Sequence, residues 1–191
     1  MKYISTCTFF SILFFLALTA CDRTETPPPE EPKAFLWGSV KAIINDSLIW
    51  EGTCSSFVPV PTIDSLYGFS FIKQDNFGIR MHEVYFGHIP LRKQKTLLNE
   101  SCINPPLGGV PRSYLSTHLD FDLIDAFYCL NTSDTIEDFF EITEIDHMTK
   151  EVRGIVQGSY YIDSSYIDRS DTFFPDTVVF VKCDFHAKYE L

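Results

Sequence analysis

The chain has 191 residues, of which 26 are acidic and 15 basic, for a formal net charge of −11. So acidic a balance excludes a nucleic-acid backbone as partner and argues against lying flat on anionic lipid, because both need a positive surface. The length fits one globular domain whose core can stand without a metal or a disulfide.

The chain opens on Met1-Lys2-Tyr3 and an apolar run from Phe9 to Leu18, followed by Thr19, Ala20 and Cys21. A helix needs roughly 20 apolar residues to cross the hydrocarbon of a bilayer. This run is about half that length, and Asp22 and Arg23 follow at once, so residues 1–20 read as a secretory signal. Leu18-Thr19-Ala20-Cys21 resembles the lipobox of bacterial lipoproteins. The resemblance implies cleavage before Cys21, diacylglycerol on its sulfur and acylation of the new amino group. Each buried CH₂ of such a chain contributes about 0.8 kcal/mol, so two or three chains hold a domain where one does not. Residues 22–32 contain four prolines and four acids. They cannot form a core, and residues 21–34 read as an extended tether. An aspartate directly after the lipidated cysteine resembles an inner-membrane retention signal of some Gram-negative bacteria. Acidic residues near that point also resemble a surface-export signal of Bacteroidota. Between these, the outer membrane, on its periplasmic or surface face, is favoured.

Residues 35–191 show period-two alternation and no sustained 3.6-residue apolar period. Val40, Ala42 and Ile44 alternate with polar neighbours, Asn45-Asp46-Ser47 interrupts, and Leu48-Ile49-Trp50 resumes, which is a hairpin pattern. Ser55–Ser65 reads as a loop. Tyr67–Lys73 is a strand, Gln74-Asp75-Asn76 a turn, and Phe77, Ile79 and Met81 form an apolar face whose register Glu83 breaks. Residues 90–111 are rich in proline and contain one short strand candidate, Thr96–Leu98. Leu119, Phe121 and Leu123 alternate with Asp120 and Asp122, and Ala126–Leu130 is apolar throughout. Phe139–Ile145 and Val152–Ile162 form a second hairpin, in which Gly154 and Gly158 suggest curvature or close backbone approach. Asp163–Asp171 is a polar loop. Thr177–His186 closes the chain with strict alternation. The expected fold is therefore all-β and antiparallel, either a β-sandwich, slightly preferred, or a partly closed curled barrel.

Once Cys7 leaves with the signal and Cys21 takes lipid, Cys54, Cys102, Cys129 and Cys183 remain, which allow three pairings. An oxidising envelope suits one or two disulfides. Cys129 and Cys183 lie in apolar strands and also suit core thiols, whereas Cys54 and Cys102 sit near loops. No Cys-x₂-Cys or Cys-x₂-His spacing points to zinc.

The lipobox, the Pro/Glu tether, "VKAIINDSLIW" at 40–50, "EITEIDHMTKEVRGIVQGSYYI" at 141–162 and "VVFVKCDFHAKY" at 178–189 together resemble small uncharacterised lipoprotein domains of Bacteroidota. The likeness covers about a third of the chain and brings no catalytic residues with it. Bacteroidota also place O-glycans on Asp-Ser/Thr-apolar triplets. By that resemblance Ser47, Ser65, Thr135 and Thr177 are candidate acceptors.

Catalysis needs convergent groups with matched pKa values, and the sequence offers no such constellation. His82 and Glu83 fall on opposite faces of a strand, and His88 follows Gly87, so the three read as surface or turn residues rather than metal ligands. His118, Asp120 and Asp122 share one face of an extended segment and read as the wet face of a sheet edge. Tyr160, Tyr161 and Tyr166, with Asp163 and Asp168, border a loop and would suit a carbohydrate or protein interface, though such residues are common on ordinary sheets. Neither Gly-x-Ser-x-Gly nor His-Glu-x-x-His occurs, and no cofactor motif is present. The leading expectation is a non-catalytic envelope domain for a protein or glycan partner, anchored to the membrane through Cys21. A small hydrolase or metal-dependent enzyme and a lipocalin-like carrier of an apolar ligand are the alternatives.

Overall fold

A computed structural model describes residues 37–57, 66–99, 110–120, 123–132, 135–166 and 169–189. The leader, Cys21, the tether, Ser65, Cys102, Asp122 and Asp168 lie outside the described residues.

The described residues form ten strands: β1 (Trp37–Ile44), β2 (Leu48–Phe57), β3 (Leu66–Gln74), β4 (Arg80–Pro90), β5 (Gln94–Leu97), β6 (Arg112–His118), β7 (Ile124–Leu130), β8 (Phe139–Asp146), β9 (Glu151–Ile162) and β10 (Thr177–Lys188). Every pairing is antiparallel. Eight strands, in the order β1-β2-β3-β4-β6-β7-β9-β10, close on themselves because β10 pairs with β1 on one side and β9 on the other. β8 joins β9 on the edge that β9 shares with β7, and β5 extends β8 outward. The fold is thus a closed eight-stranded antiparallel barrel with two extra strands, the curled-barrel option and not the slightly preferred sandwich.

Local features accommodate the closure. β10 shifts register between Phe180 and Cys183, and β1 between Ile43 and Ile44. Such bulges bend and twist a sheet. At Gly154 a Cβ would stand 2.0 Å from the Glu141 carbonyl oxygen and 2.6 Å from the Phe185 ring. Glycine there lets β9 pass against both. Asn45 and Asp46 have φ of 47° and 60°, the values a tight primed hairpin turn requires. The Asn45 side chain then binds β10, donating to the Thr177 carbonyl at 3.0 Å and accepting from the Val179 amide at 2.7 Å.

An eight-stranded barrel is just wide enough for side chains to fill it or for one small ligand. Here the lower interior is filled by rings. Phe140, supplied by β8, has its centroid 4.7–6.3 Å from those of Phe69, Phe71, Phe86 and Phe185. Trp50, Tyr128, Tyr160 and Phe180 are buried in the same core. The Tyr160 hydroxyl meets Ser113 Oγ at 2.6 Å, which satisfies a buried polar pair.

β4 departs from the sequence pattern. It runs unbroken through Glu83, and its inward residues are His82, Val84 and Phe86, whereas Phe77 precedes it in a turn and is 87% exposed. The apolar face Phe77/Ile79/Met81 does not continue into the core, because the inward position at 82 is taken by a histidine with buried partners.

Candidate binding site at the barrel mouth

The β1–β2, β3–β4, β6–β7 and β9–β10 connections share one end of the barrel, as antiparallel alternation requires. The last is by far the longest. Its described second part, Arg169–Asp176, lies over this mouth.

Register places a row of residues on the inward face there: Lys73 of β3 opposite His82 of β4, His82 opposite Thr117 of β6, and Thr117 opposite Ala126 of β7. Directly paired residues share a face and stand about 5 Å apart. His82 is 4% exposed and sits at the centre of a relay. Trp50 Nε1–H donates to its Nδ1 at 3.3 Å, and its Nε2 is 2.9 Å from Asp171 Oδ2. Since Trp50 can only donate, Nδ1 is the acceptor, and a neutral ring with the proton on Nε2 satisfies both contacts. Burial pushes the His82 pKa down, and the nearby charges of Lys73 and His118 push the same way. The hydrogen bond and charge of Asp171 oppose this without reversing it.

The covering loop is tied down by polar contacts. Asp125, at the start of β7, accepts the amides of Ser170 at 2.9 Å and Asp171 at 2.6 Å. Burial raises the Asp125 pKa, but these amides, the Ser170 hydroxyl and the charge of Arg169 together hold it below the ordinary carboxylate range. Asp171 Oδ1 accepts the Phe173 amide at 2.7 Å. Arg169 donates to Asp176 at 2.9 Å and to the Phe174 carbonyl at 2.8 Å. The loop thereby inserts Phe174, which is fully buried, with its ring 4.7 Å from His82, 4.9 Å from Phe173 and 6.2 Å from Tyr128. The Lys73 ammonium lies 4.4 Å from the centre of the Phe173 ring. Thr117 is fully buried, and its hydroxyl has no hydrogen-bond partner among the described residues.

No family model, curated protein or solved structure matches this chain.

The residues singled out in the sequence scatter. His82 faces inward, whereas Glu83 faces outward and accepts from Arg80 at 2.7 Å. His88 has φ of 61° and meets the Val110 carbonyl at 2.9 Å. The surface reading is therefore wrong for His82, because β4 keeps its alternation through residue 82. His118 is buried as well and meets Ser116 Oγ at 3.0 Å. The strand ends at His118 and the chain bends through Leu119 and Asp120, so the expected extended face with Asp120 does not form. Among the described residues, no group of three or more His, Cys, Asp or Glu could hold a metal ion. Tyr160 is inside the barrel, while Tyr161 is exposed and Tyr166 packs against the core from the loop. Cys54, Cys129 and Cys183 are buried thiols. Cys54 lies within β2, which runs on to Phe57 where a loop from Ser55 was expected, and burial pushes its thiol pKa well up, as it does that of Cys183. Ser47, Thr135 and Thr177 are exposed, at a turn, a bend and a strand start.

Sequence reasoning missed Lys73, Thr117, Asp125, Asp171 and Phe174. One signal was visible: Phe173-Phe174 is an apolar pair at the end of a polar loop, and such a pair needs something to bury it.

Proposed function

We propose that the chain is a non-catalytic carrier, held on a bacterial envelope by lipid on Cys21, that takes a small apolar ligand at the mouth of the barrel. The observation that carries this reading is the buried Phe174 ring. It comes from a loop, not from the barrel wall, and it occupies the place between His82 and Tyr128 that a ligand ring would take. Among the largest fully buried side chains of the described residues, Phe174 is the one that no strand carries, so its ring can withdraw without unpairing a strand. The test is titration of the intact chain with N-phenyl-1-naphthylamine, whose fluorescence rises in apolar surroundings. Saturable binding that tightens in Phe174→Ala supports the carrier. No saturable binding in either chain overturns it.

A second reading, a domain that grips an envelope protein or glycan, draws on the outer wall. Val179, Val181 and Ile136 floor an open groove of about 500 Å³ rimmed by Asn45, Asp46 and Gln157. Beside it, on β1 and β2, Ile43 and Ile49 are exposed. Affinity capture from envelope extracts, lost on Val181→Asp, would favour this reading over the carrier.

A further inference from the structure

We infer that the ligand of the mouth is an aryl carboxylate: a compact aromatic ring carrying an anionic acceptor group. The inference rests on the carrier reading and names the chemistry of its ligand.

The ring half of the argument is the slot that Phe174 fills. Its walls are flat: the imidazole of His82 and the rings of Phe173 and Tyr128. A planar group matches them better than a branched aliphatic one, because aromatic faces and edges pack at these centroid distances.

The head-group half is a census of polar atoms. Asp171 has both carboxylate oxygens engaged, Oδ2 with His82 and Oδ1 with the Phe173 amide. His82 has both nitrogens engaged. The two terminal nitrogens of Arg169 are bonded to Asp176 and to the Phe174 carbonyl, and its buried Nε has no partner among the described residues. What the row leaves over are a hydroxyl and an ammonium. The Thr117 hydroxyl is buried and has no partner among the described residues. Lys73 has three N–H groups and forms no ion pair among the described residues, its ammonium lying against the face of Phe173. The ammonium can only donate, so a ligand group received beside it has to accept, and its charge selects a negative one; the Thr117 hydroxyl, which can donate or accept, is able to donate to the same kind of group. Ala126, the small neighbour of Thr117 in the same row, adds no bulk on that side. A buried hydroxyl left without a partner costs stability, and the head group would supply the missing partner.

The test compares three probes that share a ring and differ in charge: benzoate, benzyl alcohol and benzylamine. Each is titrated into the intact chain and into Phe174→Ala, followed through the Trp50 indole N–H resonance, which reports on the mouth through its bond to His82. Trp37→Phe identifies that resonance, and Phe174→Leu replaces Phe174→Ala if the latter does not fold. Benzoate is expected to bind at least tenfold tighter than benzyl alcohol, with benzylamine weakest, and Lys73→Met is expected to reduce the benzoate advantage to about twofold or less. Binding without preference among the three, or a preference untouched by Lys73→Met, overturns the aryl carboxylate while leaving the carrier intact. Failure of all three probes to shift the resonance in either chain overturns the carrier itself.

Discussion

The two ends of the barrel interior are filled by different means. In the lower part, Phe69, Phe71, Phe86, Phe140 and Phe185 come from strands, pack ring against ring and use no polar contact. At the mouth, Phe174 comes from a loop held by Asp125, Asp171 and Arg169, over a row that contains a lysine, a histidine and a threonine. The first arrangement can be dismantled only by unfolding. The second can be undone by breaking a few hydrogen bonds to charged groups, each worth about 1.5–3 kcal/mol net, and exposing one ring.

Four changes would break or sharpen this contrast. The largest effect belongs to Phe140→Ala, which removes the ring that touches the other four and should cost about 3–5 kcal/mol in urea unfolding. A cost below that of Phe174→Ala would erase the distinction between the two ends. Gly154→Ala comes next, at about 1–3 kcal/mol, because the added methyl meets the Glu141 carbonyl and the Phe185 ring with no room to move. Near-UV circular dichroism should report the disturbed aromatic packing. Asp171→Ala leaves the buried His82 N–H without its acceptor and should also cost about 1–3 kcal/mol, with Trp50 fluorescence changing while the signals of the lower rings stay fixed.

The smallest effect is that of pH. The folded-state pKa of His82 is depressed below the ordinary 6.5, burial being the main cause. Its contribution is therefore complete above about pH 6.5 and is lost as the pH falls toward the folded value, since the unfolded chain takes the proton first. Lys73 and His118 oppose that proton, and Asp171 favours it. A melting temperature that declines as the pH falls below 6.5, and declines less in His82→Gln, is the expected result. An identical profile in the two chains would remove His82 from the account.

Much of the fold was legible because the strands alternate. The β1–β2 turn at Asn45-Asp46, the β8–β9 hairpin and the close approach at Gly154 followed from local chemistry, whereas the expected strict alternation of β10 is broken by the bulge between Phe180 and Cys183, which puts Phe180 inside and Val181 outside. Closure into a barrel did not. It depends on β10 pairing with β1 at the far end of the sequence, and nothing within a strand says whether its free edge meets a second sheet or its own beginning. The mouth was less legible still. His82 reads as polar and hence outward, and its burial depends on Trp50 and Asp171, 32 and 89 residues away. Thr117 lies in a plain strand and acquires meaning only from its register with His82. His118 and Asp120 were grouped by spacing alone, and the bend that follows β6 separates them.

The central claim is that the mouth opens while the barrel stays closed. Native-state hydrogen exchange tests it most directly, comparing the Ser170 and Asp171 amides, which are bonded to Asp125, with the strand amides of Leu115 and Phe185. The account predicts that the two loop amides exchange through a local opening, several kcal/mol below global unfolding. Exchange of both sets at the same free energy, with the same dependence on denaturant, would mean that Phe174 is simply part of the core and that the mouth has no vacancy to offer.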